Sequence, residues 1–206
     1  MSVYSETMIE TSGRHFKDLM GLLMQPRAGW TEVNLPWNRA FWEDLTPATL
    51  ARLNPHWELS YDEKGSMHIY DHLLDISFVA DIDMHVDETG WAAHIAPLGV
   101  AIMARPQSGE CNTLFNYAFT GDADIALSGS QAEEWAFYWL RSLREYLRVC
   151  VARGPAGIFW RFFMRRCWLR MSPPQRRISL FMIKLTLMEM VLIVALGVGY
   201  WAYVTL

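Results

Sequence analysis

Histidine and aspartate residues alternate between positions 81 and 94, where their types and spacing could support chemistry. Asp81, Asp83 and His85 lie at odd positions of one predicted strand, and His94 follows a turn at 87–90. A two-residue hairpin there would make Asp83 and His94 direct cross-strand neighbours, with Asp81 and His85 on the same face. Carboxylates and imidazoles together bind zinc or iron, or act as an acid–base pair. A solvated acidic sheet face would give the same pattern without a metal.

The chain carries no nucleophile elbow, P-loop or dinucleotide-binding fingerprint. Its cysteines, Cys111, Cys150 and Cys167, have no metal-finger spacing, and we expect reduced, mostly buried thiols. We therefore expect a non-enzymatic protein without a cofactor. A metalloenzyme that uses the His/Asp cluster is kept as an alternative.

The helices and strands that the sequence predicts around these residues form an α+β domain. Apolar spacing over residues 5–24 predicts a helix, and short helices follow at 36–44 and from Thr46 onward. Period-two alternation from Trp57 to Leu127 predicts an antiparallel meander of four or five strands. A long helix begins after Ser128-Gly129-Ser130, which offer an N-cap.

This order of elements is similar to that of helix-grip lipid and pigment carriers. The resemblance is one of topology and rests on no shared motif, and the sequence lacks a predicted strand at the start of the fold. It implies a second alternative function, a membrane-tethered module that binds a lipid or pigment beneath the long helix.

The last 22 residues, Leu185 to Leu206, form a nearly uninterrupted apolar stretch whose one charged residue is Glu189. As a helix they would extend roughly 33 Å, enough to cross the hydrocarbon core of a bilayer. Ala195 and Gly199 form a small-residue face that would let another helix approach, and Trp201 suits the far interface. The sequence predicts a single transmembrane helix with a partner-contacting face.

A basic, aromatic segment precedes this span. It contains Trp160, Arg165, Arg166, Trp168 and Arg170, and we expect it to form an amphipathic helix in the layer of anionic lipid headgroups. The resulting division is a domain over residues 1–153, an interfacial helix and hinge over 154–177, and a transmembrane anchor over 178–206. Nucleic acid is not expected as a partner, because the body of the chain is acidic.

Charge is distributed very unevenly along the chain. Residues 1–150 carry 21 acidic and 10 basic residues, whereas residues 151–206 carry 8 basic residues and one acidic residue. All eight basic residues precede the apolar stretch. By the positive-inside rule the domain faces the cytoplasm and the carboxyl end lies on the far side. The residues from Met1 to Glu6 lack the features of a signal peptide. We expect an accessory, assembly or scaffolding subunit of a larger integral membrane complex, by analogy an energy-converting complex of a bacterial inner membrane.

Overall fold

The computed structural model describes residues 29–107, 112–119, 123–125 and 129–205. The helix expected over residues 5–24 and the thiol of Cys111 lie outside these ranges. The described residues form eight strands and five α-helices, which confirms the α+β class. The strands are β1 (Thr31–Pro36), β2 (Trp57–Tyr61), β3 (Met67–Asp71), β4 (Ile76–Val79), β5 (Ile82–Val86), β6 (Trp91–Ile95), β7 (Val100–Pro106) and β8 (Asn112–Phe119). The helices are α1 (Arg39–Glu43), α2 (Pro47–Leu53), α3 (Gly129–Val151), α4 (Pro155–Arg166) and α5 (Pro173–Thr205).

The strands form two antiparallel sheets rather than one meander. The larger sheet has the order β1-β8-β7-β6-β5, and the smaller has the order β2-β3-β4. Every even position from 74 to 86 is apolar, across the change from one sheet to the other, and Val79 is the one apolar residue at an odd position. The sequence pattern therefore predicts which residues face the core, but it does not reveal the division into two sheets.

Strand β1 is the first strand of the described residues, and the sequence does not predict it. It pairs with the last strand, with Thr31 opposite Phe115 and Val33 opposite Thr113. Its alternation is short and irregular, and the register shifts between Val33 and Pro36. Strand β1 thus stands where the helix-grip topology has an opening strand, which the sequence did not predict.

Helix α2 begins as its sequence predicts. Thr46 is the N-cap, and its side chain accepts a hydrogen bond from the backbone N–H of Thr49 at 3.2 Å. Pro47 follows at the first helical position, where a missing N–H costs nothing. The helix ends at Leu53, two residues before Pro55, because the residue before a proline disfavours helical geometry.

The core lies between the sheets and the inner face of α3, and tryptophan dominates it. Trp57, Trp135 and Trp139 are at most 1% exposed, and their rings contact one another with centroids 4.8–5.3 Å apart. The Trp139 indole N–H donates to the carbonyl of Leu50 at 2.9 Å, which ties α3 to α2. Large rings therefore fill the space beneath α3, where a helix-grip carrier would hold its ligand.

Candidate membrane and partner interface

Helix α5 contains the expected transmembrane stretch. It is 33 residues long, which corresponds to roughly 50 Å, and it is long and apolar enough to cross a membrane. The 18 consecutive residues of highest hydropathy in α5 are not buried against the other described residues. Glu189, Gly199 and Trp201 are all exposed, and a Cβ added at Gly199 would meet no atom within 4 Å.

The helix starts earlier than the sequence division indicates. Pro173 and Pro174, expected in a hinge, form the first turn of α5. The backbone N–H of Ser172 donates to the Gln175 side chain at 3.0 Å, and the carbonyl of Ser172 accepts from the N–H of Arg176 at 3.0 Å. This capping explains the early start, because proline is well tolerated in a first turn that needs no N–H donor.

The base of α5 is fixed to the domain. Arg176 is only 7% exposed, and its guanidinium donates to the carbonyls of Trp168 and Leu169 at 3.1 and 3.4 Å. These carbonyls belong to a 3₁₀ turn, Trp168–Arg170, in which Leu169 is buried in the core. Arg176 therefore supports the turn from inside, whereas Arg170 is exposed to solvent.

Helix α4 packs tightly against the end of α3. Gly157 is buried there, and a Cβ at this position would lie 2.4 Å from the carbonyl oxygen of Ala152. Arg161 donates to the carbonyl of Cys150 at 3.2 Å, and Arg165 donates to the Tyr146 hydroxyl at 3.4 Å. Arg161 of α4 thus donates to a carbonyl in the last turn of α3, where backbone carbonyls have no partner within their own helix.

These contacts alter the acid–base properties of the side chains at the α3–α4 corner. Burial raises the pKa of the Cys150 thiol and of the Tyr146 hydroxyl above their ordinary values. The hydrogen bond to Tyr146 raises the pKa of Arg165. The Cys150 thiol is therefore held in its neutral form, which is unsuited to nucleophilic chemistry.

The outward surface of α4 is apolar. We call it the outer face of α4 and define it by four large side chains that are 51–62% exposed: Ile158, Phe159, Trp160 and Phe162. A helix on a water-soluble domain normally has the opposite arrangement, with polar residues outward. Both arginines predicted to face lipid headgroups from this helix, Arg165 and Arg166, are exposed, and Arg165 also contacts the Tyr146 hydroxyl. Trp168, after the helix, is half-buried and packs against Phe163 at 6.3 Å between ring centroids.

The predicted hairpin is present, and it brings together part of the His/Asp cluster. Asp83 is directly opposite His94 in the pairing of β5 with β6, and Asp81 lies just before β5. His85 lies 4.0 Å from Asp87. The described residues nevertheless contain no group of three or more His, Cys, Asp or Glu side chains placed to hold a metal ion.

A close backbone approach fixes this hairpin. Asp87 accepts hydrogen bonds from the backbone N–H groups of Thr89 and Gly90 at 2.7 and 2.9 Å. A Cβ at Gly90 would lie 2.5 Å from the carbonyl oxygen of Ala104 on the neighbouring strand, so only glycine fits there. The turn thus sets the register that places Asp83 opposite His94.

One carboxyl group with a structural role was not identified from the sequence. Asp71 is fully buried, and its Oδ2 accepts from the indole N–H groups of Trp57 and Trp135 at 2.8 and 3.1 Å. Its Oδ1 accepts from the backbone N–H groups of Leu73 and Leu74 at 2.8 and 3.3 Å. Asp71 resembles the solvated acids around it in sequence, and the tryptophans that bind it lie 14 and 64 residues away.

Comparison with models of protein families, with curated proteins and with solved structures found no match.

Proposed function

We propose that the chain is a non-enzymatic, single-pass membrane protein and an accessory, assembly or scaffolding subunit of a larger integral membrane complex. One observation carries this proposal: the apolar part of α5 is uncovered along its whole length and presents a small-residue face. Ala195 and Gly199 lie one turn apart on that face, where close approach of a second transmembrane helix is favoured. Glu189 adds a polar group whose burial in lipid would be costly without a partner.

The attachment of α5 to the domain suits a subunit with a positioning role. Leu169 and Arg176 join the base of the anchor to the core, so the domain and the anchor are coupled without a free linker. A partner bound to α5 would thereby hold the domain at a set height and rotation above the membrane. We further propose that the domain faces the cytoplasm and that the membrane is a bacterial inner membrane.

The proposal is tested by extracting the full-length chain from its own membranes in mild detergent and identifying co-purified integral proteins. Gly199→Leu should reduce partner recovery about tenfold, equivalent to ~1.4 kcal/mol of association free energy, because the larger side chain blocks close approach. Gly197→Leu is the matched control, since residue 197 lies on the opposite side of the helix from 195 and 199.

Two outcomes would count against this function. One is recovery of the wild-type chain alone and monodisperse after gentle extraction. The other is equal partner recovery with Gly199→Leu and Gly197→Leu, which would limit α5 to the role of an anchor.

A further inference from the structure

A cavity of about 480 Å³ lies between the end of β1 and the corner where α3 meets α4. Its volume falls within the range of small-molecule binding sites. The residues that matter for its chemistry are Trp37, Asn38, Arg153, Ile158 and Arg161.

The polar part of the cavity is positively charged. Arg153 and Arg161 both line it, and none of the described lining residues is acidic. The hydrogen bond from Arg161 to the carbonyl of Cys150 uses one of the five N–H donors of the guanidinium and fixes its position. Arginine donors in a fixed position suit the oxygens of a phosphate group.

The apolar part of the cavity continues onto the surface of the chain. Ile158 lines the cavity and also belongs to the outer face of α4, where Phe162 follows one turn later. A ligand with a phosphate in the cavity would therefore have an apolar path along α4. That combination is the chemistry of a phospholipid, and α4 precedes the membrane helix α5 by only a short 3₁₀ turn.

We infer that this cavity binds the headgroup of an anionic phospholipid, with the guanidinium groups of Arg153 and Arg161 on its phosphate and its acyl chains along Ile158 and Phe162. The inference rests on the membrane placement in the proposed function. The chain would then bind one lipid at a defined site, in addition to the general attraction between its basic residues and an anionic bilayer.

The test titrates the full-length chain in neutral detergent with phosphatidylglycerol or phosphatidylcholine and counts bound lipid by native mass spectrometry. We expect one phosphatidylglycerol to bind more tightly than phosphatidylcholine. Arg153→Gln should weaken phosphatidylglycerol binding about tenfold. Arg153 is exposed, so this variant should keep its fold, which circular dichroism checks. Arg170→Gln removes another exposed arginine, one that does not line the cavity, and should leave binding unchanged.

Three results would overturn the inference: equal binding of the two lipids, equal loss with Arg153→Gln and Arg170→Gln, or displacement of phosphatidylglycerol by an equal concentration of inorganic phosphate. The last would identify a free phosphate ion as the ligand. Failure of the proposed function is visible separately: loss of the membrane placement would leave the wild-type chain in the aqueous supernatant without detergent, and loss of the subunit role would leave it without co-purified integral proteins.

Discussion

Asp71 joins three separate parts of the domain through a single carboxyl group. It lies at the end of β3, and its partners Trp57 and Trp135 lie in β2 and α3. A buried carboxyl group is costly unless its oxygens are hydrogen-bonded, and here both oxygens accept two N–H groups each. The arrangement fixes how α3 lies on the smaller sheet.

Asp71→Asn should destabilise the domain by about 3 kcal/mol, because the amide N–H₂ group would face donors that need an acceptor. For a protein of this size that loss corresponds to a fall in Tm of roughly 6–12 °C. Thermal unfolding followed by tryptophan fluorescence measures the change, since two of the affected groups are indoles.

The matched control for this substitution is Asp81→Asn. Asp81 is exposed, so the same chemical change there should alter stability by less than about 0.5 kcal/mol. An equal, small effect of both substitutions would mean that the indole contacts of Asp71 contribute little to stability.

Sequence signals predicted the elements whose ends are set by neighbouring residues. The helix start at Thr46, the 87–90 turn and the division after residue 153 all lie where expected, because each depends on a few adjacent side chains. Strand β1 was missed because its stability comes from pairing with β8, about 80 residues away. The capped early start of α5 was missed because prolines at 173 and 174 also fit a hinge.

The candidate interface likewise combines features that adjacent residues determine with features that distant packing determines. The pattern of aromatic residues and arginines predicted an amphipathic α4, and the structure turns its apolar side outward. The sequence could not tell which arginines would be used internally. Arg161, Arg165 and Arg176 bind carbonyls or a hydroxyl of this chain, and only the packing of α4 and the 3₁₀ turn decides this.

Gly157 determines how closely α4 approaches the end of α3. Gly157→Ala would place a methyl group against the Ala152 carbonyl, and we expect a displaced α4 and a loss of about 1–3 kcal/mol. The displacement should uncover the half-buried Cys150 thiol, so its rate of maleimide labelling, resolved by peptide mass spectrometry, should rise.

Gly197→Ala is the control for this prediction, because a Cβ at that helical position meets no atom within 4 Å. It should leave both stability and labelling of Cys150 at the wild-type level. Unchanged labelling in Gly157→Ala would show that the corner adjusts around the added methyl group.

For the whole molecule, an acidic domain, a basic membrane-proximal segment and an apolar helix follow one another along the chain. The exposed basic residues nearest the span are Arg166, Arg170, Arg177 and Lys184. Basic residues within about 15–20 positions of a span set its orientation. The outer face of α4 and the apolar part of α5 are both exposed, and we expect lipid to cover them, so that the domain lies against the membrane surface.

The cytoplasmic orientation can be tested in bacterial inner-membrane vesicles. Protease should degrade the domain in inverted vesicles, whose cytoplasmic face is outward, and leave it intact in spheroplasts.

Replacing Arg166, Arg170 and Arg177 with glutamine should increase the fraction of misoriented chains, because it removes positive charge beside the span. Replacing Arg141, Arg144 and Arg148, which are exposed on α3 and more than 20 positions from the span, should not. Protection of the wild-type domain in inverted vesicles would show that the domain lies on the opposite side of the membrane from the one proposed. Equal effects of the two triple variants would mean that the total charge of the chain directs insertion, rather than the position of that charge beside α5.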